Sequence, residues 1–317
     1  MTDTEAKSSV VLGEAPVGVI RPDHERGRRA MKALAEGRLE DATENIEAHP
    51  DTDPWNRAWR SVLDGLVAVE RIDWSRAATQ FMRAVTEIVV SGFCGETEIA
   101  AHESSRPNGI NGMEARLAAL ALEKLGFVQR RQDRPGEALR SHRAAYRLRV
   151  LHGSREEQWE SAISIGLDAD VAGRGDEAEV AYRTAIERSG DCRETRAQKW
   201  AVAWQHLSTT LIQAGRYDEA VSAAREAADG WRKHDRGDIR VAQADRVLGW
   251  ALLKLGESLF ESDSLKAQTA LDESVSRLGE ARETLVAFGR EGERDAATCL
   301  EQKDFAARLR ASCAQRE

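Results

Sequence analysis

The sequence predicts an all-α fold, a stacked array of paired helices, and three observations predict it. An alanine just inside a new helix, in most copies following an acidic residue, marks a register at Ala42, Ala77, Ala138, Ala178 and Ala220. A small residue stands twelve positions earlier, at Ala30, Gly65, Gly126, Gly166 and Ser208, and another stands seven later at Ala84, Ala145, Ala185 and Ala227. Proline is scarce, 6 in 317 residues, which leaves room for long helices between the turns.

Two antiparallel helices joined by a short turn approach closely only where side chains are small. Gly126 is therefore expected to face Ala138, and Gly166 to face Ala178. Leu122, Leu125 and Tyr146 fill the gaps of one pair, and Trp204, Leu207 and Leu211 those of another. Gly173 and Gly215 stand where a helix must end in a left-handed conformation that glycine adopts at low cost. A single hairpin cannot bury its apolar stripe alone, so neighbours stack and share a core.

In chain order, residues 1–21 mix Ser, Thr, Gly and Pro around the apolar Ser9-Val10-Val11-Leu12 and are expected to form a flexible tail. Helices are expected near 23–36, 39–48, 56–70 and 74–91. His49-Pro50-Asp51-Thr52-Asp53-Pro54 breaks the second from the third, with Asp53 placed to cap the third. Residues 91–112 are dense in turn signals: Ser91-Gly92, Gly95, Pro107, Asn108-Gly109 and Asn111-Gly112. Helices resume near 113–132, 135–151, 156–172, 175–188, 195–214, 217–234 and 239–260, with Asp176 and Asp238 as caps. Residues 264–314 read as two long amphipathic helices, with Leu265, Leu271, Val275, Leu278, Leu285 and Phe288 at helical spacing.

The clearest copy of the repeat is Ala203-Trp204-Gln205-His206-Leu207-Ser208 followed by Ala214-Gly215-Arg216-Tyr217-Asp218-Glu219-Ala220. It resembles the tetratricopeptide repeat (TPR), best over residues 119–234 and more weakly over 23–91 and 239–260. Arg29 and Asp64 stand where the family has a large apolar residue. The register alanines are 35, 61, 40 and 42 residues apart. The last two steps resemble the longer helices of the kinesin-light-chain-like subgroup. The step of 61 implies an insertion of about 20 to 25 residues near 91–112. The resemblance implies a right-handed superhelical solenoid, an array over 22–260 with a C-terminal capping region at 261–317.

It also implies that the first helix of each pair lines a concave groove. Carried over by position, the groove takes Trp59, Leu63 and Leu66; then Lys124, Phe127, Arg130 and Arg131; then Ile163 and Leu167; then Gln205, His206 and Thr209; and finally Arg246 and Trp250. Apolar anchors with a few cations suit an amphipathic helix or an extended peptide with apolar and acidic residues. Trp and Arg are the types that tend to carry binding energy. The Lys and Asn pattern with which one TPR subgroup grips acidic chaperone tails is absent, since Glu123, Phe127, Ile163 and Leu167 occupy the matching positions.

Composition bounds the function. A formal charge of −8 and a pI near 5.6 argue against nucleic acid as a main ligand. Cys94, Cys192, Cys299 and Cys313 form no CxxC pair and read as isolated thiols of a reducing compartment. Cys94, Glu96, Glu98, His102 and Glu103 fit no standard metal spacing. Neither a signal-peptide core nor a membrane-length apolar run is present. His142 and His206 read as core or groove histidines without a nucleophile beside them. Arg174-Gly175-Asp176 and Arg236-Gly237-Asp238 read as turns.

These features favour a cytoplasmic, bacterial-type adaptor or scaffold that binds a peptide or helical segment of a partner protein, with no cofactor, metal or catalytic residue. The competing expectation is a regulator that senses a peptide or small ligand and controls a partner enzyme or transcription factor. Self-association through the C-terminal helices or the apolar stretch near residue 10 is a further open reading.

Overall fold

The computed structural model describes residues 25–49, 53–90, 112–189, 197–234 and 239–314. They are all-α. The helices are α1 (Glu25–Ala35), α2 (Leu39–Glu47), α3 (Pro54–Glu70), α4 (Trp74–Val90), α5 (Gly112–Arg131), α6 (Pro135–His152), α7 (Arg155–Val171), α8 (Gly175–Ser189), α9 (Ala197–Gln213), α10 (Tyr217–His234), α11 (Ile239–Leu259), α12 (Ser264–Ala287) and α13 (Glu293–Ala314). Ends fall within two residues of the expected ones. Asp53 caps α3 as expected, its carboxylate accepting the Asn56 amide at 2.9 Å. Asp176 is not a cap but the second residue of α8. The tail at 1–21, Asp238, and all of 91–112 except Gly112 lie outside the described residues.

The helices form two compact units that divide between Asp168 and Ala169, inside α7. In the first, Ala30, Leu34, Trp59, Leu63, Phe81, Leu117 and Leu125 belong to one continuous buried core. In the second, smaller clusters form around Trp231 with Ala201, Ala228 and Ala244, around Leu278 with Leu285 and Cys299, and around Leu271 with Ala306 and Cys313.

One turn geometry joins five of the helix pairs. Gly37, Ile72, Asp133, Gly173 and Gly215 all have φ between 59° and 75°. The next residue donates its N–H back to a carbonyl five residues earlier: Arg38 to Ala33, Asp73 to Ala68, Arg134 to Gln129, Arg174 to Ala169 and Arg216 to Leu211, at 2.8 to 3.0 Å. That is the Schellman closure of a helix. The same five residues accept from Ala42, Ala77, Ala138, Ala178 and Ala220, so each register alanine seals the first turn of the following helix. In three of these turns an arginine pairs with the glutamate three residues on: Arg134 with Glu137, Arg174 with Glu177, and Arg216 with Glu219. The first turn substitutes Arg38 with Asp41.

In three pairs the glycine of the first helix faces a large residue, in two of them the residue four beyond the register alanine. A Cβ built on Gly65, Gly126 or Gly249 would come within 2.6 Å of Phe81, His142 or Leu278 respectively. The expected Gly126–Ala138 pairing is therefore corrected by one helical turn. Glycine makes room not for a small partner but for a large one, and a ring or isobutyl group lies flat on bare backbone. At the same register in another pair the sizes are reversed in part: Ser208 stands where glycine stood and Ala224 where the large group stood. The Ser208 hydroxyl donates to the Ala220 carbonyl at 2.9 Å.

Gly65→Ala should destabilise the protein by about 1–3 kcal/mol, because the Phe81 ring is fully buried and has nowhere to retreat; urea unfolding measures it. Ile72→Gly should act oppositely. A β-branched residue at φ 60° costs about 1–2 kcal/mol, the glycine gives back about 0.5–1 through chain entropy, and a net gain of about 0.5–1 kcal/mol is expected in the same assay.

Candidate functional site

The residues expected to line a groove divide by burial. Trp59, Leu63, Leu66 and Ile163 are buried, which corrects their assignment. Trp59 has no exposed surface. It stacks on Trp55 at 6.0 Å and its indole lies against Gly27 of α1. The cause is that α3 is packed by α1, α2, α4 and α5 together, so 12 of its 17 residues are buried and little of its surface remains for a ligand. Lys124, Phe127, Arg130, Arg131, Leu167, Gln205, His206, Thr209, Arg246 and Trp250 are half-buried.

Several of these already have internal tasks. In the second unit the Gln205 side chain accepts from the Trp231 indole N–H at 3.1 Å, and the Thr209 hydroxyl donates to the Gln205 carbonyl at 3.2 Å. His206 stacks on the buried Tyr182 ring at 5.4 Å. Arg246 lies 3.6 Å from Asp295 of α13, which also accepts from Gln243 at 3.0 Å. In the first unit Arg130 pairs with Asp168 at 3.1 Å. Arg131 instead lies over the Trp74 ring, 5.4 Å from its centroid, and Phe127 meets the same ring edge-on at 6.2 Å.

Beneath the α5–α7 surface lies a buried polar cluster. Glu123 of α5 is its centre. Its carboxylate accepts from Ser164 Oγ at 2.6 Å, Ser161 Oγ at 2.9 Å and Arg149 Nη1 at 3.1 Å, and its Oε1 lies 3.7 Å from His142 Nε2. Arg149 donates also to Ser161 Oγ at 2.8 Å and to the Glu157 carbonyl at 3.0 Å. His142 has no exposed surface, and both its ring nitrogens face acceptors: Nδ1 meets the Asp168 carboxylate and Nε2 the Glu123 carbonyl at 3.1 Å. Ser141 donates to Gln129 at 2.7 Å beside it.

Burial pushes the Glu123 carboxyl up, but the opposing charges of His142 and Arg149 and the hydroxyls of Ser164 and Ser161 outweigh it and hold the group at about 2. Burial pushes the neighbouring Lys124 ammonium down, against Glu123 and Glu160. In the second unit burial raises Asp170, although Tyr182 donates to it at 2.8 Å and Thr210 at 3.1 Å.

This chemistry is structural. His142 has no ring nitrogen left for a substrate, and the carboxylates of Glu123 and Asp168 are answered by Arg149 and Arg130. Among the described residues no group of three His, Cys, Asp or Glu side chains is arranged for a metal, and no helix is long and apolar enough to cross a membrane. Cys94 and its neighbours lie outside the described residues. Cys299 is a buried free thiol, raised by burial to about 11.

Sequence reasoning missed this cluster, yet a signal was present. Glu123 occupies the place that Ile163 holds in the next repeat, and His142 the place of Phe81, Tyr182 and Leu278. Polar groups at two apolar register positions in one repeat mark a pair. Ser154-Arg155-Glu156-Glu157 was a second readable signal. It is a reciprocal cap of α7, with the Ser154 amide donating to the Glu157 carboxylate at 2.7 Å and the Glu157 amide to Ser154 Oγ at 3.2 Å.

Acid should dismantle the cluster. The folded value near 2 lies below the ordinary 4.5, so ionised Glu123 contributes stability above about pH 4.5 that is lost as pH falls toward 2. Glu123→Gln should cost about 3–5 kcal/mol at pH 7 by stranding Arg149. The gap from wild type should narrow below pH 4.5 in a pH series of urea midpoints; a constant gap would contradict the assignment.

No family model matches the chain, and no curated protein matches it. Solved structures do. A signal transduction ATPase with numerous domains and a tetratricopeptide repeat sensor, from Pyrococcus horikoshii, aligns with a TM-score of 0.58 at 11% identity. The alignment covers 92% of this chain but 41% of that one. The apo form of RapI aligns with a TM-score of 0.54 at 12% identity over 92% of this chain and 98% of its own. The apo quorum sensor NprR from B. thuringiensis gives 0.52 at 10% identity over 92% and 86%. At such identities the likeness establishes a shared fold, the TPR-like helix–turn–helix repeat, and nothing beyond it.

Proposed function

We propose that the chain is a protein-interaction module that holds a peptide or helical segment of a partner protein on the α5–α7 face of its first unit. One observation carries this reading. After the core is filled, Phe127 and Leu167 remain half-exposed beside Lys124, Arg131 and Ser164, and Glu123–Ser164 and Arg130–Asp168 tie the two helices together beneath them. Apolar anchors framed by donors on a locked base are what peptide grooves use. In the second unit Trp250 remains as a separate half-buried position.

The sensor version of this reading has its own support. The NprR neighbour is described as a quorum sensor, and the Pyrococcus protein as carrying a repeat sensor. A module that reports peptide occupancy to a partner enzyme or transcription factor fits both. The acidic net charge disfavours nucleic acid, and the buried free thiols Cys299 and Cys313 suit the cytoplasm.

The test is a displayed random-peptide library selected on the full chain, followed by fluorescence polarisation of the selected peptides. Leu167→Asp and Lys124→Gln should each weaken binding at least about 10-fold while the thermal midpoint stays near wild type. Selected peptides that bind both variants as tightly as wild type would place the site elsewhere.

A further inference from the structure

We infer that Arg131 is the receptor for a carboxylate of the bound segment, held ready by Trp74 with Phe127 as its apolar floor. This rests on the peptide-binding reading above and adds the chemistry of one subsite.

Four arginines of α3, α5 and α6 meet carboxylates. Arg57 pairs with Glu87, Arg116 with Glu157, Arg130 with Asp168 and Arg149 with Glu123. Arg131 is not among them. It is half-buried on the same helix as Arg130, and its partner is the face of an indole, with no carboxylate within ion-pair distance among the described residues. A guanidinium held over a ring by a cation–π contact still has N–H donors to offer. Those donors match the two oxygens of a carboxylate.

The contact with the ring also restricts the side chain before the ligand arrives, so less conformational entropy is lost on binding. Phe127, one turn back along α5, braces Trp74 edge-on and leaves part of its own ring open. An acidic group flanked by an apolar one would meet both at once. A net charge of −8 gives the protein no general attraction for anions, so the recognition must be local.

The carboxylate can come from an Asp or Glu side chain or from the free C-terminus of the segment. Peptides selected on the full chain separate the two sources. Each is remade with Asp→Asn or Glu→Gln, and separately with a C-terminal amide. One of these changes should weaken binding about 10-fold or more to wild type and have little further effect on Arg131→Gln, which itself binds the parent peptide about 10-fold more weakly. Arg131→Lys should recover only part of the loss.

If selected peptides bind Arg131→Gln as tightly as wild type, the carboxylate subsite is wrong while the peptide-binding reading stands. A thermal midpoint lowered by Arg131→Gln with unchanged peptide affinity would assign Arg131 a purely structural role and also overturn it. An absence of any selected peptide would remove both. A labelled oligothymidine bound by wild type and lost with Arg131→Gln would replace the peptide carboxylate with a nucleic-acid ligand.

Discussion

Everything in this molecule depends on how closely two antiparallel helices can approach across a turn of almost no length. The turn allows one residue in the left-handed region before the next helix begins. That brevity fixes which positions face each other, and the closest facing position must hold glycine against a large flat group or two small groups against each other. Gly65 beneath Phe81, Gly126 beneath His142 and Gly249 beneath Leu278 are three solutions to one steric condition. Propensity alone would not select them, because glycine inside a helix costs about 1 kcal/mol relative to alanine. The packing of a whole ring against bare backbone offsets that cost.

This condition explains what could be read in the sequence and what could not. The register was legible because alanines at fixed offsets are a local, repeated signal, and the helix ends followed from Gly173, Gly215 and Asp53. The facing partner was misread by one turn, since a column of small residues suggests that small meets small. Ile72 occupies a left-handed position that nothing in its chemistry advertises, and Asp133, a residue type that tolerates this region, advertises it less strongly than glycine. Trp59, Leu63, Leu66 and Ile163 failed as groove residues for a different reason. Family position says which helix lines a groove, but burial depends on how many neighbours crowd that helix, and α3 meets four others. Half-exposed positions such as Lys124, Phe127 and Arg131 match the accessibility a groove requires without identifying what occupies it.

The second unit shows how the same positions can be spent internally. Gln205, His206 and Arg246 had the composition of a ligand surface. Each is engaged by a neighbour brought close by packing, namely the Trp231 indole, the Tyr182 ring and the Asp295 carboxylate. A sequence gives the donors and acceptors of a helix face, but it does not say which are consumed by the next helix. In α5 the division is visible within two adjacent residues, since Arg130 is taken by Asp168 and Arg131 is not.

The buried cluster around Glu123 raises the question of why polar groups should stand where other repeats place Ile163 and Phe81. Ion pairs in an interior are not a stability device by default, because desolvation consumes most of what the pairing returns, and an apolar replacement is often as stable. What apolar packing does not provide is a single geometry, because leucine against phenylalanine tolerates small slides. A carboxylate that must satisfy two hydroxyls and a guanidinium at once tolerates very little. Glu123 reaches α6 through Arg149 and His142 and reaches α7 through Ser161 and Ser164, so three helices are fixed by one side chain. The surface directly above is the one that carries Lys124, Phe127, Arg131 and Leu167. Under the proposed function, a face whose base cannot slide loses less entropy when it is occupied, and displacing that base requires breaking ion pairs rather than shifting methyl groups. The unusual interior and the exposed face are therefore best understood as one arrangement, in which a polar core gives up ease of packing for a fixed spacing between α5 and α7.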